Sequence, residues 1–375
     1  MLRNIATLCF LLQLTTVFSQ QVKYDAWQNL TTSGKLPPQC ILQHSNNNLD
    51  VVKYQGRYYL AFRTAPSHFA SKKAVMYVVS SADLESWQYE TEFALQRDVR
   101  EPRFAVYHDT LNLYFFTGGT RPLRFEPNEV LLTRKAGNGK WSAHQSVNLD
   151  GFVPWRLRTR ADTLYLSAYY GRGLYKGSHH SNLRLFYSTS GTGWQPVSTE
   201  PQIEVLNAEE GEFIFDKKGD MYATVRLEGT GALVCKATAD NLSRWEQRRT
   251  KAKYDSALLF DHNDDIYLIS RRNVDGDMDK VKNRKNDKQG RMRNLIRYSV
   301  TRKVTALYRF DKDSLTVTPV VDFPSTGDNA YAGIAPVDAN TYVVMNYSSD
   351  ITKRKKNWIR GQLGKTYIYW TRLRF

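Results

Sequence analysis

Residues 48–69, NLDVVKYQGRYYLAFRTAPSHF, and residues 74–90, AVMYVVSSADLESWQYE, predict a β-meander. Residues 51–63 are rich in aromatic and β-branched side chains and are interrupted at Gly56, which indicates two strands joined by a tight turn. Residues 75–80 predict a third strand, and the polar turn SSADLESW leads into a fourth. The stretch is therefore predicted to form one sheet of four antiparallel strands.

The same pattern recurs along the chain. Four tryptophans follow short polar turns at intervals of 54, 53 and 51 residues: Trp87, Trp141, Trp194 and Trp245. Six strand patterns that follow a turn are each marked by a tyrosine: Tyr59, Tyr114, Tyr165, Tyr222, Tyr267 and Tyr342. A repeat of several tens of residues without helical periodicity predicts an all-β, six-bladed β-propeller of four-stranded antiparallel blades. Five blades is the alternative count, whereas two packed sheets would leave the tryptophan spacing unexplained.

The start of the sequence has its own predicted role. Residues 1–19 combine Arg3 with an apolar run and small residues near the end, which is typical of a secretory signal. The alternative, a membrane anchor, is disfavoured because the run is short and interrupted by Thr and Gln. Residues 20–375 are predicted to form a single propeller domain, in which residues 22–43 would supply the strand that closes the ring.

One insertion interrupts the repeats. Residues 273–297 are polar and basic and lack a β-pattern, so we expect a mobile loop on one face of the propeller. No segment of residues 20–375 is apolar enough to be expected to cross a membrane. Three Asn-x-Ser/Thr sites agree with a secreted glycoprotein: Asn29, Asn241 and Asn346. The protein is expected to be extracellular and monomeric.

The net charge indicates which kind of partner the protein binds. The formal net charge is +16, and much of the excess lies in residues 280–302 and 353–356. In a secreted protein this favours acidic glycans, and not nucleic acid, as partners.

Cys40 and Cys235 remain after the signal, and they either form a disulfide or stay as two buried free thiols. No cofactor is expected and no metal motif is present, although a structural Ca²⁺ held by channel carboxylates is left open.

The entries of the inner strands carry the candidate site. In a propeller the first strand of each blade lines the central channel, so residues at the six entries meet at one face. The entry residues are Asp50, Glu101 with Arg100 and Arg103, Trp155 with Arg156 and Arg158, Glu210, Asp255, and Asp328 with Tyr331. Aromatic faces stack on sugar rings, carboxylates perform acid–base chemistry and arginines bind anionic substituents, so the ring predicts a glycan site. Each acid alone could instead cap a turn or pair with an arginine.

Two families of glycoside hydrolases share motifs with this chain. The turn SSADLESW resembles the S-x-D-L-x-x-W phrase of five-bladed enzymes that act on arabinan, xylan and fructan, and it also resembles a degenerate Asp-box of the sialidases. LDVVKYQGRYYL resembles the arabinan- and xylan-enzyme strand that begins with the catalytic base, which implies Asp50. REPRF and AEEGEF resemble their other acidic motifs, which implies Glu101, where Asp is usual, and Glu210, with the usual Pro absent.

The resemblance to the sialidases covers more of the chain. EGEFIFDKKGDMYATVR resembles the segment in which a Glu precedes a carboxylate-binding Arg, which implies Glu210 and Arg226. DNAYAGI resembles the segment with the nucleophilic tyrosine, which implies Tyr331 activated by Glu210. A further carboxylate-binding arginine is implied at Arg302, with Arg297 as the competing choice. Sialidases open the first blade with R-I-P, whereas residues 44–49 contain no arginine.

Three functions follow as hypotheses. In a sialidase-like scheme, Tyr331 attacks the sugar, Glu210 is its base, and Asp50 or Asp255 protonates the leaving oxygen. Arg156, Arg226 and Arg302 would hold the anionic group. The full set of predicted substrate-binding residues is Arg63, Arg103, Trp155, Arg156, Arg226, Arg302 and Asp328. In an inverting scheme, Asp50 is the base and Glu210 the acid on either side of a water. The third hypothesis is a catalytically inactive propeller that binds acidic glycans, because fold alone does not define function.

Overall fold

Six antiparallel β-sheets follow one another along the chain in the computed structural model. The structure describes residues 22–122, 124–137, 139–172, 180–277, 288–353 and 355–375. The predicted secretory signal therefore lies outside the described residues. No helix within those ranges is long and apolar enough to span a membrane.

The sheets are the six predicted blades. The chain begins with β1 (Lys23–Tyr24) and β2 (Gln28–Asn29). Blade 1 contains β3 (Ser45–Tyr54), β4 (Arg57–Ala65), β5 (Val75–Ser81) and β6 (Gln88–Phe93). Blade 2 contains β7 (Asp98–Tyr107), β8 (Thr110–Gly118), β9 (Val130–Lys135) and β10 (Gln145–Ser146). Blade 3 contains β11 (Phe152–Arg160), β12 (Thr163–Tyr170), β13 (His180–Ser188), β14 (Gln195–Pro196) and β15 (Ile203–Leu206).

The second half of the chain repeats this plan. Blade 4 contains β16 (Ala208–Phe215), β17 (Met221–Leu227), β18 (Ala232–Thr238) and β19 (Asn241–Thr250). Blade 5 contains β20 (Asp255–His262), β21 (Asp265–Asn273), β22 (Lys303–Asp311) and β23 (Thr316–Phe323). Blade 6 contains β24 (Asn329–Pro336), β25 (Thr341–Ser349) and β26 (Thr366–Arg374). Each blade is a meander in which successive strands pair, so the prediction of a six-bladed propeller is confirmed.

The first and last segments of the described chain meet in blade 6. Strand β1 pairs antiparallel with β26, with Lys23 opposite Arg374, and β2 pairs with the same strand. The early part of the chain thus supplies the outer strand of the last blade, as residues 22–43 were expected to do. This pairing closes the ring, because the last blade combines strands from the early and the final parts of the described chain.

Tight turns set the register of the inner hairpins. At the first hairpin, Gln55 and Gly56 have φ values of 46° and 75°. Two consecutive positive φ values define the type I′ turn, whose twist matches that of the two strands it joins. His108 and Asp109 repeat the geometry in blade 2, with φ values of 47° and 50°. The hairpins therefore hold the inner strands in the register that brings their entries together.

The joint between blades 6 and 1 is a packed aromatic cluster. Trp370 is buried there with Trp87, the first of the regularly spaced tryptophans, and with Tyr347. We expect Trp370→Ala to lower the free energy of unfolding by about 3–5 kcal/mol, because it empties a large buried volume. Urea denaturation followed by far-UV circular dichroism measures the effect. The matched control is Val320→Ala on an exposed strand position, expected within about 0.5 kcal/mol; equal effects of the two would contradict this role of the cluster.

Two helices depart from the sequence-based prediction. Residues 273–297 were expected to form a mobile loop, and residues 278–287 of this stretch lie outside the described residues. Residues 288–297 are helical, because α1 spans Lys288–Val300, and a shorter helix, α2, spans Trp358–Gln362. The expectation failed because the contacts that hold α1 are polar and tertiary. Asn294 Nδ2 donates to the carbonyl of Gly229 at 2.9 Å, and Tyr298 is buried. A search for a buried apolar stripe cannot detect such a helix.

Cys40 and Cys235 are both free and buried, and they lie in different parts of the propeller. Cys235 lies on β18, and Cys40 precedes blade 1. Burial raises the pKa of Cys40 to about 12 and raises that of Cys235 as well. Of the two alternatives, the structure therefore selects two buried free thiols, which are chemically inert in this neutral form.

Candidate active site

The site is built by one irregularity that is repeated in all six blades. Each inner strand shifts register against its neighbour near the same end, and the extra residues that result are Asn48, Glu101, Trp155, Glu210, Ser256 and Tyr331. All of these except Trp155 have a positive φ, between 43° and 57°. A β-bulge re-aims the side chain that it carries, and such backbone conformations are concentrated at functional sites. The bulges thus turn residues of five blades toward one mouth, whereas Trp155 of blade 3 stays buried beneath it.

A cavity of about 370 Å³ opens at this mouth. Its lining includes Asn48 from blade 1, Glu101 from blade 2, Glu210 from blade 4 and Tyr331 from blade 6. Arginines and further acids stand beside them, so the lining is rich in charge of both signs. Both helices contribute to one side of the rim, through Tyr298, Trp358 and Gln362. The cavity has the size of a small-molecule site and the polar character that a sugar requires.

The half-buried Tyr331 and the buried Glu101 form a pair on the cavity floor. The Tyr331 hydroxyl donates to Glu101 Oε1 at 2.7 Å, and Asn48 Nδ2 donates to the same oxygen at 3.0 Å. Burial, together with the charges of Glu101 and Glu210, raises the pKa of Tyr331 well above its usual value. Burial also raises the pKa of Glu101, and the guanidinium of Arg103 offsets part of this effect. A protonated phenol thus faces a carboxylate that can accept its proton.

Arg103 and Trp155 support this pair from below. The guanidinium of Arg103 lies 3.5 Å from Glu101 Oε2 and faces the rings of Trp155 and Tyr331, at 4.9 Å and 5.6 Å from their centroids. The rings of Trp155 and Tyr331 are 5.3 Å apart. Both residues were predicted to bind substrate, but they are buried and absent from the cavity lining. Their contacts instead position the tyrosine and the carboxylate.

Glu210 is occupied by partners other than Tyr331. Its Oε1 lies 2.7 Å from Arg226 Nη1, and its Oε2 accepts from the backbone N–H of Ser256 at 2.6 Å. Glu210 was predicted to activate Tyr331, but the Tyr331 hydroxyl donates to Glu101 instead. Burial raises the pKa of Glu210 despite the ion pair with Arg226. Glu210 lines the cavity as a carboxyl that retains its proton to higher pH than an exposed glutamate.

Arg226 is the centre of a cluster of carboxylates. It lies 2.7 Å from Glu209 Oε2, 3.3 Å from Glu228 Oε2 and 3.4 Å from Asp255 Oδ1, in addition to its contact with Glu210. Burial would raise the pKa of Asp255, but Lys253 and the nearby arginines lower it below its usual value. Asp255 is thus held ionised, which is unfavourable for its predicted role as the acid that protonates a leaving oxygen.

Tyr298 of α1 ties the insertion to this cluster. Its hydroxyl donates to Asp255 Oδ2 at 2.5 Å and accepts from Arg271 Nη1 at 3.3 Å. The ammonium groups of Lys253 and Lys303 lie 4.0 Å and 3.9 Å from its ring centroid. These cation–π and hydrogen-bond contacts fix the helix on the rim of the cavity.

Sequence reasoning missed Arg271, which lines the cavity. A signal was available, because Arg271 follows Tyr267 by four residues just as Arg226 follows Tyr222 in the preceding blade. Arg302, which was preferred, is half-exposed and pairs with Asp275 at 3.4 Å outside the cavity. Arg297, the competing choice, is also absent from the lining. An alignment of the repeats on their tyrosines would have identified Arg271 as the counterpart of Arg226 and therefore as a residue of the cavity.

Asp50 lies below the mouth instead of at it. It is two residues beyond the bulge at Asn48, accepts from the backbone N–H of Phe104 at 2.8 Å and lies 3.7 Å from Arg156 Nη1. Arg156 in turn bonds to Glu212 at 2.6 Å, with Arg158 3.0 Å from the other oxygen of that carboxylate. Asp50 and Arg156 are absent from the cavity lining. Their contacts link blades 1, 3 and 4 across the channel and are structural.

The other predicted residues hold the loops around the mouth. Arg63 is buried and donates to Asp98 Oδ1 at 2.8 Å and to the carbonyl of Phe69 at 3.0 Å. Asp328 is buried, with one oxygen 2.7 Å from His68 Nδ1 and the other accepting from the Tyr347 hydroxyl. Neither lines the cavity, but Asp98, His68 and Tyr347 do. Within the described residues, no group of three or more His, Cys, Asp or Glu side chains is arranged to hold a metal ion.

The buried network at Glu212 can be tested by stability. Glu212→Gln leaves Arg156 and Arg158 without their counter-ion in the channel, so we expect a loss of about 3–5 kcal/mol in the free energy of unfolding. Asp265→Asn is the control, because it breaks an exposed pair with Arg309 and should cost less than about 1 kcal/mol. A cost for Glu212→Gln as small as that of the control would show that the channel is well hydrated.

Six four-stranded blades around a polar cavity define a six-bladed β-propeller of the sialidase-like fold. The chain is similar to a Dyadobacter fermentans protein of unknown function, with 14% identity and a TM-score of 0.66 over 95% of this chain and 100% of that one. It is also similar to Trypanosoma rangeli sialidase in complex with 2,3-difluorosialic acid, a covalent intermediate, with 11% identity and a TM-score of 0.62 over 94% of this chain.

A third similar structure is the endosialidase of phage phi92, with 12% identity and a TM-score of 0.58 over 87% of this chain and 66% of that one. The chain spans 59% of the length of the Trypanosoma rangeli sialidase. No family model matches the sequence, and no curated protein matches it. At these identities the likeness concerns the fold.

Proposed function

We propose that the protein is a secreted glycoside hydrolase that removes an anionic sugar from glycans, with Tyr331 as nucleophile and Glu101 as its base. The observation that carries the proposal is the 2.7 Å hydrogen bond from the Tyr331 hydroxyl to Glu101 on the floor of a charged cavity. Sialidases use a tyrosine nucleophile in place of the usual second carboxylate. A tyrosine with so high a pKa needs an adjacent base, and Glu101 is in contact with it.

The reaction would proceed in two steps. In the first, Glu101 takes the proton of Tyr331, the phenolic oxygen bonds to the anomeric carbon, and the bond to the leaving oxygen breaks. Glu210 protonates that oxygen, because its raised pKa keeps the proton available. In the second step, water attacks the anomeric carbon and gives a proton to Glu210, while Tyr331 leaves and recovers its proton from Glu101. Two inversions give overall retention.

Three arginines support the choice of an anionic sugar. Arg100, Arg226 and Arg271 come from blades 2, 4 and 5, and all line the cavity. Guanidinium groups bind carboxylates through paired hydrogen bonds. An anionic substituent would share these arginines with their protein partners, and it would replace the water that the open cavity admits.

A screen of aryl glycosides tests the proposal. The purified protein would be assayed with sialosides, uronides and arabinosides, each compared with the Tyr331→Phe variant. Turnover of an anionic glycoside that the variant lacks would support the proposal and identify the sugar. Turnover restricted to neutral arabinosides, or turnover that Tyr331→Phe retains, would contradict it.

A second candidate function, a lectin-like propeller without activity, is favoured by one observation. Three of the four arginines that line the cavity already donate to the protein: Arg226 to four carboxylates, Arg271 to the Asn329 carbonyl, and Arg100 to Asp98 and to the His68 carbonyl. Blade 1 presents Asn48 where the sialidases begin with R-I-P. Salt-sensitive binding of acidic glycans on an array, with no turnover of any glycoside, would establish this alternative.

Secretion is part of the proposal and has its own test. It is supported by the charged and apolar pattern of residues 1–19. Expression of the full chain in a secreting cell and sequencing of the N-terminus of the protein from the medium would locate the cleavage. A start near Gln20 is expected, and retention of the intact chain in the membrane fraction would indicate an anchor.

A further inference from the structure

The two helices form one surface beside the cavity. An isolated antiparallel bridge between Arg302 and Asn357 joins the segments that follow α1 and precede α2. Beside it, the backbone N–H of Trp358 donates to the backbone carbonyl of Thr301 at 3.1 Å. The rings of Tyr298 and Trp358 are 5.3 Å apart. Segments that are more than 50 residues apart in sequence are thereby held together on the face where the cavity opens. We call the exposed side chains of α1 and α2 the helical surface.

The outer side of α1 is apolar. Its buried positions, Asn294 and Tyr298, contact the loops of blades 4 and 5, so the opposite side faces solvent. Met292, Ile296 and Val300 recur there at every fourth residue and form one stripe.

Two further exposed apolar side chains, Ile359 on α2 and Leu363 at its C-cap, are also four residues apart, and we include Leu363 in the helical surface. All five of these side chains are between 42% and 69% exposed, and they are five of the nine exposed large hydrophobic residues in the described ranges. Such clustering of exposed apolar side chains marks an interaction surface.

Basic side chains surround the stripe. Those that are exposed or half-exposed are Arg293, Arg297, Lys355, Lys356 and Arg360. Residues 288–310 and 351–375 contain no Asp or Glu, so these two segments bring no opposing charge. The described parts of the two basic runs, residues 288–302 and 353 with 355–356, thus converge on one face, although the catalytic proposal uses neither of them.

A second cavity, of about 380 Å³, adjoins the helical surface between blades 5 and 6. Arg302, Lys353 and Lys355 line it, together with one acid, Asp322. Arg302 and Lys353 also pair with Asp275 and Asp350 at 3.4 Å each. The basic character therefore continues from the stripe into a recess that has room for a small anionic group.

We infer that the helical surface docks the protein on a bilayer that contains anionic phospholipids. The five apolar side chains would enter the boundary between headgroups and acyl chains, while the arginines and lysines would contact the phosphates. An acidic polysaccharide would use the same charges but would leave the aliphatic stripe exposed to water. The presence of that stripe favours lipid, and docking would turn the cavity mouth toward the membrane surface.

Flotation with vesicles tests the inference without any sugar or turnover. Vesicles of phosphatidylcholine alone are compared with vesicles that contain about 30 mol % phosphatidylserine, and binding to the anionic vesicles only is expected. Ile296→Ser combined with Leu363→Ser should weaken binding about tenfold, because it removes inserted apolar groups. Arg293→Glu combined with Arg360→Glu should weaken it by at least about tenfold, since each basic residue near the surface contributes about 1 kcal/mol.

Matched controls lie on the outer strands of blades 4 and 5. Val320→Ser removes an exposed apolar side chain and Arg244→Glu reverses an exposed charge, and neither should alter flotation. Circular dichroism of each variant excludes misfolding as the cause of lost binding. The inference would be overturned if the protein bound neutral vesicles equally well, or if the control variants weakened flotation as much as the test variants. It would also be overturned if the protein bound heparin but not vesicles, and that result would assign the surface to acidic polysaccharides.

Discussion

Tyr331→Phe is expected to lower kcat by roughly 10³-fold or more on any anionic glycoside that the wild-type protein hydrolyses, the scale of effect seen when a nucleophile is removed. The substitution deletes one oxygen and with it the hydrogen bond to Glu101. The ring keeps its contacts with Trp155 and with the guanidinium of Arg103, so the floor of the cavity should retain its shape. Steady-state kinetics and glycan binding measure the two consequences separately, and binding should persist.

Tyr107→Phe is the matched control for this substitution. It also deletes a buried tyrosine's hydroxyl that donates to protein, in this case to the Asp162 carbonyl at 3.0 Å, but at a distance from the cavity. Its kcat should equal that of the wild type. If Tyr331→Phe lost activity only in proportion to a loss of folded protein, or kept its activity, the tyrosine would not be the nucleophile and the inverting scheme would gain support.

Glu101→Gln is expected to lower kcat by about 10²- to 10⁴-fold, the usual contribution of a general base. The amide keeps the size of the side chain but cannot take the proton of Tyr331. The pH profile provides a second measurement. Because burial raises the pKa of Glu101 above 4.5, its ionised form is lost as pH falls through that raised value. The acid limb of kcat/KM should therefore lie above pH 4.5 in the wild type and should disappear in the variant.

Comparison with Glu210→Gln separates the two glutamates. An aryl glycoside with a highly acidic phenol needs no proton on its leaving oxygen, so Glu210→Gln should keep most of its kcat/KM on that substrate and lose it on a poorer leaving group, while its kcat falls on both because Glu210 also takes the proton of water in the second step. Glu101→Gln should lose kcat/KM on both. Glu90→Gln, at a buried ion pair with Lys135 away from the cavity, is the control. The reverse pattern, with the kcat/KM of Glu210→Gln impaired on both substrates, would make Glu210 the base.

The number and strand order of the blades could be predicted because short-range sequence patterns specify them. Tyrosine-centred strands that follow turns repeat six times with small variation, and a regularly spaced tryptophan accompanies the first four. A blade is largely specified by this pattern, since its strands pair with their neighbours in sequence. Helix α1 was not predicted because its sequence lacks the buried apolar stripe that local patterns reveal. Its buried side chains, Asn294 and Tyr298, are polar, and its apolar stripe faces away from the propeller.

The sequence by itself determined the fold, the face on which the site lies, and five members of the cavity: Arg100, Glu101, Glu210, Arg226 and Tyr331. Only the tertiary structure decided which groups meet. The bulge at Asn48 shifts blade 1 so that this residue reaches the mouth and Asp50 does not. Tyr331 bonds to Glu101 because the ring brings blades 2 and 6 to the same point, while Arg226 and Ser256 engage Glu210. Periodicity specifies which way a strand faces, but hydrogen-bond partners depend on distances of a few ångströms between blades that are remote in sequence.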